Sequence, residues 1–186
     1  KNIPYKIYGG LSFYERKNPL YPLSLIGADD DRRHTLVTAP TGAGKTDFLL
    51  RRCRGRVFYT LPFQASINAM YDRIKADLQN TDAQIHLLHA ASYLKIGQDL
   101  EGRDRLEESI LQRHVGASVK VLTPHQIALI VFGIKGYEAM AVDLRGSDVI
   151  LDEIHTYSEV IQAIVLRIVE VLIHLGCRVH VGTATM

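Results

Sequence analysis

With 186 residues the chain is long enough for one domain with a substantial core. A composition that is 47% hydrophobic and 23% charged excludes a disordered or fibrous chain, and no apolar run is long and uninterrupted enough to cross a membrane. A formal charge of +2 neither demands nor opposes a polyanionic partner, so function has to be read from motifs. The two cysteines, Cys53 and Cys177, lack metal-ligand spacing and are expected as small core hydrophobes with free thiols, as in a reducing cytoplasm.

In chain order, residues 5–21 are rich in Tyr, Gly and Pro and read as irregular chain within a flanking segment, 1–34. A globular unit is expected over 35–186. The chain opens on Lys1 and stops at Met186 just past a strand candidate, and is expected to be a piece of a longer protein. The β-type run 35–38 leads into APTGAGKT at 39–46, which opens a helix-like stretch at 47–50. A glycine-rich turn from strand to helix aims backbone N–H groups and the positive end of the helix at one point, a site for a polyphosphate. Pro40, Thr41, Gly42, Ala43, Gly44, Lys45 and Thr46 are the expected phosphate cradle, with Lys45 as its cation and the Thr46 hydroxyl as an Mg²⁺ ligand. Ala39 stands where the strict pattern has a glycine. No Gln-containing adenine motif precedes it, and Phe13, Tyr14 and Tyr21 carry no specific signal.

A strand is expected at 57–61, and YTLPFQAS at 59–66 ends it before a helix carrying Ile67, Met70, Tyr71, Ile74 and Leu78 at helical spacing. Pro62 and Gln64 then lie at the strand's carboxyl end. Strand 85–88 follows, and the charged segment 97–116 reads as a solvated amphipathic helix. Strand 119–122 finishes in Thr123 and Pro124, which start a helix whose N–H groups suit a backbone phosphate. The run 149–153, VILDE, reads as a strand covered on both faces that ends in two carboxylates. Asp152 is the expected Mg²⁺ ligand beside Thr46, and Glu153 the group that orients and deprotonates an attacking water. The apolar stretch 160–175 reads as a buried helix, and strand 178–182 leads into Gly182, Thr183, Ala184 and Thr185. The histidines form no convincing metal set. Strands alternating with helices predict an α/β fold, its ligand site at the carboxyl ends of the strands.

Taken in order, APTGAGKT, TLPFQAS, VLTPHQ, LDEIH and GTATM resemble motifs I, Ia, Ib, II and III of superfamily-2 helicases over residues 38–186, and in that family alanine is usual at the position of Ala39. The Asp152–Glu153–Ile154–His155 run resembles the DExH branch. The resemblance implies a RecA-like three-layer fold with a mainly parallel central sheet and helices on both faces. It also implies ATP and Mg²⁺ as cofactors and a second RecA-like domain that closes on the nucleotide. Pro62, Gln64, Thr123 and Pro124 would then hold single-stranded nucleic acid, and His155, Thr183, Ala184 and Thr185 would couple the nucleotide state to that track. The wording YTLPFQASINAMYDRI, LLHAAS and LDEIHTYS is further similar to the CRISPR-associated helicase-nucleases of type I interference. That similarity implies single-stranded DNA as track, a crRNA-guided surveillance complex as partner, a cytoplasmic location and a nuclease domain outside this stretch. Two alternatives stay open, a DExH RNA helicase with the same motifs and a nucleotide-switched P-loop ATPase without a nucleic-acid track. Without its second domain the stretch is expected to turn over little ATP alone.

Overall fold

The computed structural model describes residues 21–28, 30–79, 83–87 and 119–184. Its elements run β1 (Thr35–Thr38), α1 (Lys45–Arg52), β2 (Val57–Thr60), α2 (Gln64–Asp77), β3 (Ile85–Leu87) and β4 (Val119–Leu122). They continue with α3 (Pro124–Ile127), α4 (Leu129–Phe132), α5 (Tyr137–Leu144), β5 (Asp148–Leu151), a 3-10 turn (Ile154–Thr156), α6 (Glu159–His174) and β6 (Arg178–Thr183). Each strand foreseen in the sequence within the described residues is present. The short helices α3, α4 and α5 come between β4 and β5 in the chain. The amphipathic helix expected over 97–116, the LLHAAS stretch beyond Leu87, residues 5–20 and Thr185 lie outside the described residues.

The strands form one sheet in the order β1-β6-β5-β2-β4-β3, and all five pairings are parallel. Parallel strands alternate their side chains between two covered faces, and the core divides accordingly. Val57 and Tyr59 of β2, Val119 and Val121 of β4, and Ile150 of β5 point to one face, where they meet Leu49 and Leu50 of α1 and Ile67 and Ile74 of α2. Phe58, Leu122, Val149 and Leu151 point to the other face and pack on Ile127, Met140, Leu144, Val165, Ile168 and Leu172. The result is the three-layer α/β/α fold expected from the sequence. Cys53 and Cys177 are buried free thiols, one in each core.

The expectation of a buried helix near 160–175 needs correction. Helix α6 buries one stripe, Val165, Ile168 and Leu172, while Val160 and Leu166 are exposed, at 71% and 67%. Spacing by three and four residues sets one face on the sheet and turns the rest outward. No helix among the described residues is long and apolar enough to cross a membrane.

Two buried ion clusters tie the amino ends of the strands. The Asp143 carboxylate takes Lys120 of β4 and Arg56, the latter at 2.5 Å, with all three side chains at most 10% exposed. Asp148, 1% exposed, accepts Arg178 Nε at 3.0 Å, His180 Nε2 at 2.9 Å and the N–H groups of Arg54 and Gly55 at 2.9 and 2.7 Å. Cys53, Asp148 and His180 sit close enough together to suggest a metal centre. Both oxygens of Asp148 are already doubly engaged, so the cluster is a structural network. Burial, ahead of the opposing attraction of Asp148, lowers the His180 pKa.

Candidate functional site

At the opposite, carboxyl edge of the sheet, the strand order decides which loops meet. β6 lies immediately beside β1 and β5 immediately beyond it, so the loop after β1 faces the chain ends after β5 and β6 although more than a hundred residues of sequence separate them. Strand pairing carries through to the loop, where the Ala39 N–H donates to the Thr183 carbonyl at 3.2 Å and the Asp152 N–H to the Thr60 carbonyl at 3.1 Å.

The glycine-rich turn is built as the sequence suggests. Gly44, the residue just before α1, has φ +86°, a left-handed value that side chains rarely adopt, and Gly42 has φ +81°. The turn delivers the chain into α1 with Lys45 and Thr46 at its first positions. Lys45 is buried, and its Nζ donates to the carbonyls of Ala39 at 2.9 Å and Pro40 at 3.2 Å, folding the ammonium against the start of the loop. An open cleft of about 550 Å³ lies above, lined by Thr41, Gly42, Gly44, Lys45 and Thr46 with Glu153 across from them and Tyr21, Asp47 and Arg73 at its edges. Tyr21 reaches it because residues 22–25 form a 3-10 turn laid on the loop, with the Leu23 N–H donating to Ala43 at 3.1 Å.

Asp152 is 3% exposed and held on every side. Its Oδ2 accepts the Tyr59 hydroxyl at 2.5 Å, and its Oδ1 accepts the N–H of Glu153 at 2.9 Å. Gly182 of β6 passes so close that a Cβ there would stand 2.4 Å from Oδ1. Burial first, then the Asp152 charge, raises the Tyr59 pKa well above its ordinary value and keeps the phenol a donor. Thr46 and Asp152 offer a hydroxyl and a carboxylate, the hard oxygen donors that Mg²⁺ prefers.

Glu153 has φ +57°, and among the described residues it is the non-glycine residue with positive φ. A carboxylate-bearing residue held in a sparsely populated conformation at a cleft is a common mark of function. His155 Nδ1 accepts the Ala184 N–H at 3.1 Å, which assigns the ring proton of the neutral imidazole to Nε2, 3.3 Å from the Glu153 carboxylate. The end of β6 and the end of β5 are thereby joined through one ring. Thr183 contributes its carbonyl to the start of the glycine-rich turn.

The expected nucleic-acid residues divide. Phe63 and Gln64, at the start of α2, are exposed beside the half-buried Pro62. Thr123 and Pro124 are buried, and Thr123 forms a capping box with Gln126 in which its N–H donates to Gln126 Oε1 at 2.8 Å. The Thr123 N–H is therefore not free for a phosphate, and His125 is the exposed residue of this turn. Sequence reasoning passed over Tyr59, Gly182 and Arg73. A tyrosine buried in a central strand must find a partner for its hydroxyl, which is the one signal that pointed to Tyr59. Arg73 is invisible without the fold, since only packing of α2 beside α1 brings it to the cleft, paired with Asp47.

Comparison with known proteins places this geometry. The family model described as DEAD/DEAH box helicase matches residues 24–186. The chain is 27% identical over 173 residues to a CRISPR-associated nuclease/helicase Cas3 of Methanothermobacter thermautotrophicus, a match covering 89% of this chain and 21% of that protein. It is 26% identical over 142 residues to a putative CRISPR-associated nuclease/helicase Cas3 of Methanocaldococcus jannaschii, covering 68% of this chain and 19% of that one. Among solved structures, T. fusca Cas3 with ATP superposes with a TM-score of 0.60 at 23% identity over 83% of this chain and 19% of its own. The DUF1998 helicase MrfA bound to DNA and AMPPNP superposes at 0.56 with 15% identity, over 82% of this chain and 22% of its own. The chain thus spans about a fifth of the length of the curated relatives it matches.

Proposed function

This chain belongs to the DEAD/DEAH box helicase family, and on that footing we propose that it is the ATP-binding domain of a helicase that moves on single-stranded DNA in type I CRISPR interference. Residues 35–186 form the first RecA-like domain in this reading, with 1–34 flanking it, a second RecA-like domain closing on the nucleotide and a nuclease elsewhere in the protein. The partner is a crRNA-guided surveillance complex in the cytoplasm. The observation that carries the reading is the convergence of Lys45, Thr46 and Glu153 on one cleft at the carboxyl edge of the sheet, with Asp152 buried next to Glu153, together with the resemblance to the Cas3 proteins.

The chemistry follows from the residues. N–H groups of residues 41–46 would hold the β and γ phosphates at the positive end of α1. Lys45 leaves the carbonyls of Ala39 and Pro40 for the phosphates, a short swing of an ammonium that is already buried beside them. Thr46 and Asp152 would hold Mg²⁺, which when bound supplies positive charge to the phosphate oxygens. Glu153 accepts a proton from the attacking water, oriented by its backbone and by His155 Nε2. Because His155 also takes the Ala184 N–H, a change at the phosphate end reaches residues 183–185, the path to the nucleic-acid track. Residues 62–64 and His125, the exposed residue of the turn after β4, grip the strand by its backbone, so binding is indifferent to sequence and sensitive to salt.

The test is ATP hydrolysis by the full-length protein with single-stranded DNA, with single-stranded RNA and with neither, taking Lys45→Ala as the blank. Stimulation by DNA alone is expected. Stimulation by RNA would transfer the assignment to an RNA helicase, and indifference to both would leave a P-loop ATPase without a track.

A further inference from the structure

We propose that Tyr59 is a positioning residue that sets Asp152 for the magnesium ion, an inference that rests on the ATP reading above. Two observations carry it. The Tyr59 hydroxyl donates to Asp152 Oδ2 at 2.5 Å. The residue is fully buried in the middle of the sheet, between Val121 of β4 and Ile150 of β5, so its backbone has no room to drift and water has none to enter.

The direction of this hydrogen bond is what a cation needs. A carboxylate that ligates must keep lone pairs open while its plane is fixed. Asp152 receives one donor on each oxygen, Tyr59 on Oδ2 and the Glu153 N–H on Oδ1, which fixes the plane and leaves each oxygen further acceptor capacity. Gly182, with no side chain, leaves the carboxylate the space it occupies. Phenylalanine at 59 keeps the ring in the core but removes the hydrogen bond to Asp152.

The experiment compares wild-type full-length protein with Tyr59→Phe, using calorimetry of a non-hydrolysable ATP analogue in EDTA and across an Mg²⁺ series. Outer partners of metal ligands are worth about 10- to 100-fold in metal affinity. The Mg²⁺ concentration for half-saturation should rise by about that factor in Tyr59→Phe, while affinity in EDTA stays within about twofold. An unchanged half-saturation, or an equal loss with and without Mg²⁺, would show that Tyr59 only packs the sheet and would overturn the proposal. Wild-type protein that binds the analogue with no response to Mg²⁺ would defeat the ATP–magnesium reading itself, and this inference with it. A second measurement does not depend on the folding of the variant. In protein carrying 3-fluorotyrosine at position 59, the ¹⁹F signal should move when Mg²⁺ joins the nucleotide complex, and a signal that stays put contradicts the proposal.

Discussion

Gly182→Ala is the sharpest test of how the Asp152 carboxylate is held. Gly182 lies in β6 with extended backbone, so alanine meets no conformational strain there and the whole effect is one of space. The added Cβ would stand 2.4 Å from Asp152 Oδ1 and 2.9 Å from Leu49 Cδ1. An ordinary carbon–oxygen contact is about 3.3 Å, so the carboxylate has to retreat by roughly 0.9 Å, and Leu49 has to give by a little less. A retreat of that size stretches the 2.5 Å bond from Tyr59 or the 2.9 Å bond from the Glu153 N–H past useful range. Losing one hydrogen bond to a buried charge costs about 1.5–3 kcal/mol, and overpacking a core adds about 1–3 kcal/mol. Partial relaxation of both groups brings the expected loss to about 2–4 kcal/mol. Urea denaturation read by circular dichroism would report this as a lower midpoint at unchanged slope. The same variant should bind Mg²⁺–nucleotide more weakly while keeping Mg²⁺-free affinity. A midpoint equivalent to less than about 0.5 kcal/mol of destabilisation, the size of an ordinary surface change, would mean that Asp152 is free to move and would refute the reasoning.

Asp143→Ala should destabilise the domain by about 3–5 kcal/mol, because it strands the buried Lys120 and Arg56 charges, and denaturant melts would measure it. Burial already lowers the Lys120 pKa, and removal of Asp143 deletes the attraction that opposes the drop. The unfolded variant then binds more protons than the folded one below the ordinary lysine value, so its deficit should shrink from pH 7 toward pH 10, and a constant deficit would contradict the account. His34, His86 and His180 also have lowered pKa values, with burial the leading cause in each. Their unfolded forms take up protons near pH 6.5 where the folded forms do not, so stability should be full above that value and fall below it. A urea midpoint no lower at pH 5.5 than at pH 7.5 would count against this. Glu153→Gln in the full-length protein should bind Mg²⁺–ATP normally and hydrolyse it about 10²- to 10⁴-fold more slowly; single-turnover hydrolysis at the wild-type rate would remove Glu153 from the role of base.

Much of the molecule was legible in one dimension because strands, helices and turns are local. The strands at 57–60, 119–122 and 149–151 are apolar but for Thr60 and Lys120, since both faces of a parallel strand are covered, and they were recognisable for that reason. The glycine-rich turn was equally plain, because the left-handed backbone at Gly42 and Gly44 leaves its trace in composition. Where one property had to stand for another, the sequence misled. The apolar content of α6 suggested a buried helix although only one stripe meets the sheet, and Thr123 gave the same signal whether its N–H was free or, as found, bonded to Gln126.

By itself, then, the sequence determined the α/β class, the parallel strands and the two ends of the site, Lys45 with Thr46 and Asp152 with Glu153, since each is a short pattern fixed by local stereochemistry. The tertiary structure alone decided that β6 lies beside β1 with β5 next to it, and hence which loops share the cleft. It also decided that Tyr59 donates to Asp152, that His155 spans Glu153 and Ala184, that Gly182 yields its side-chain space to a carboxylate and that Arg73 stands at the rim. Those relations are contacts between distant segments, and strand order and packing, which no local pattern encodes, are what bring such segments within reach of one another.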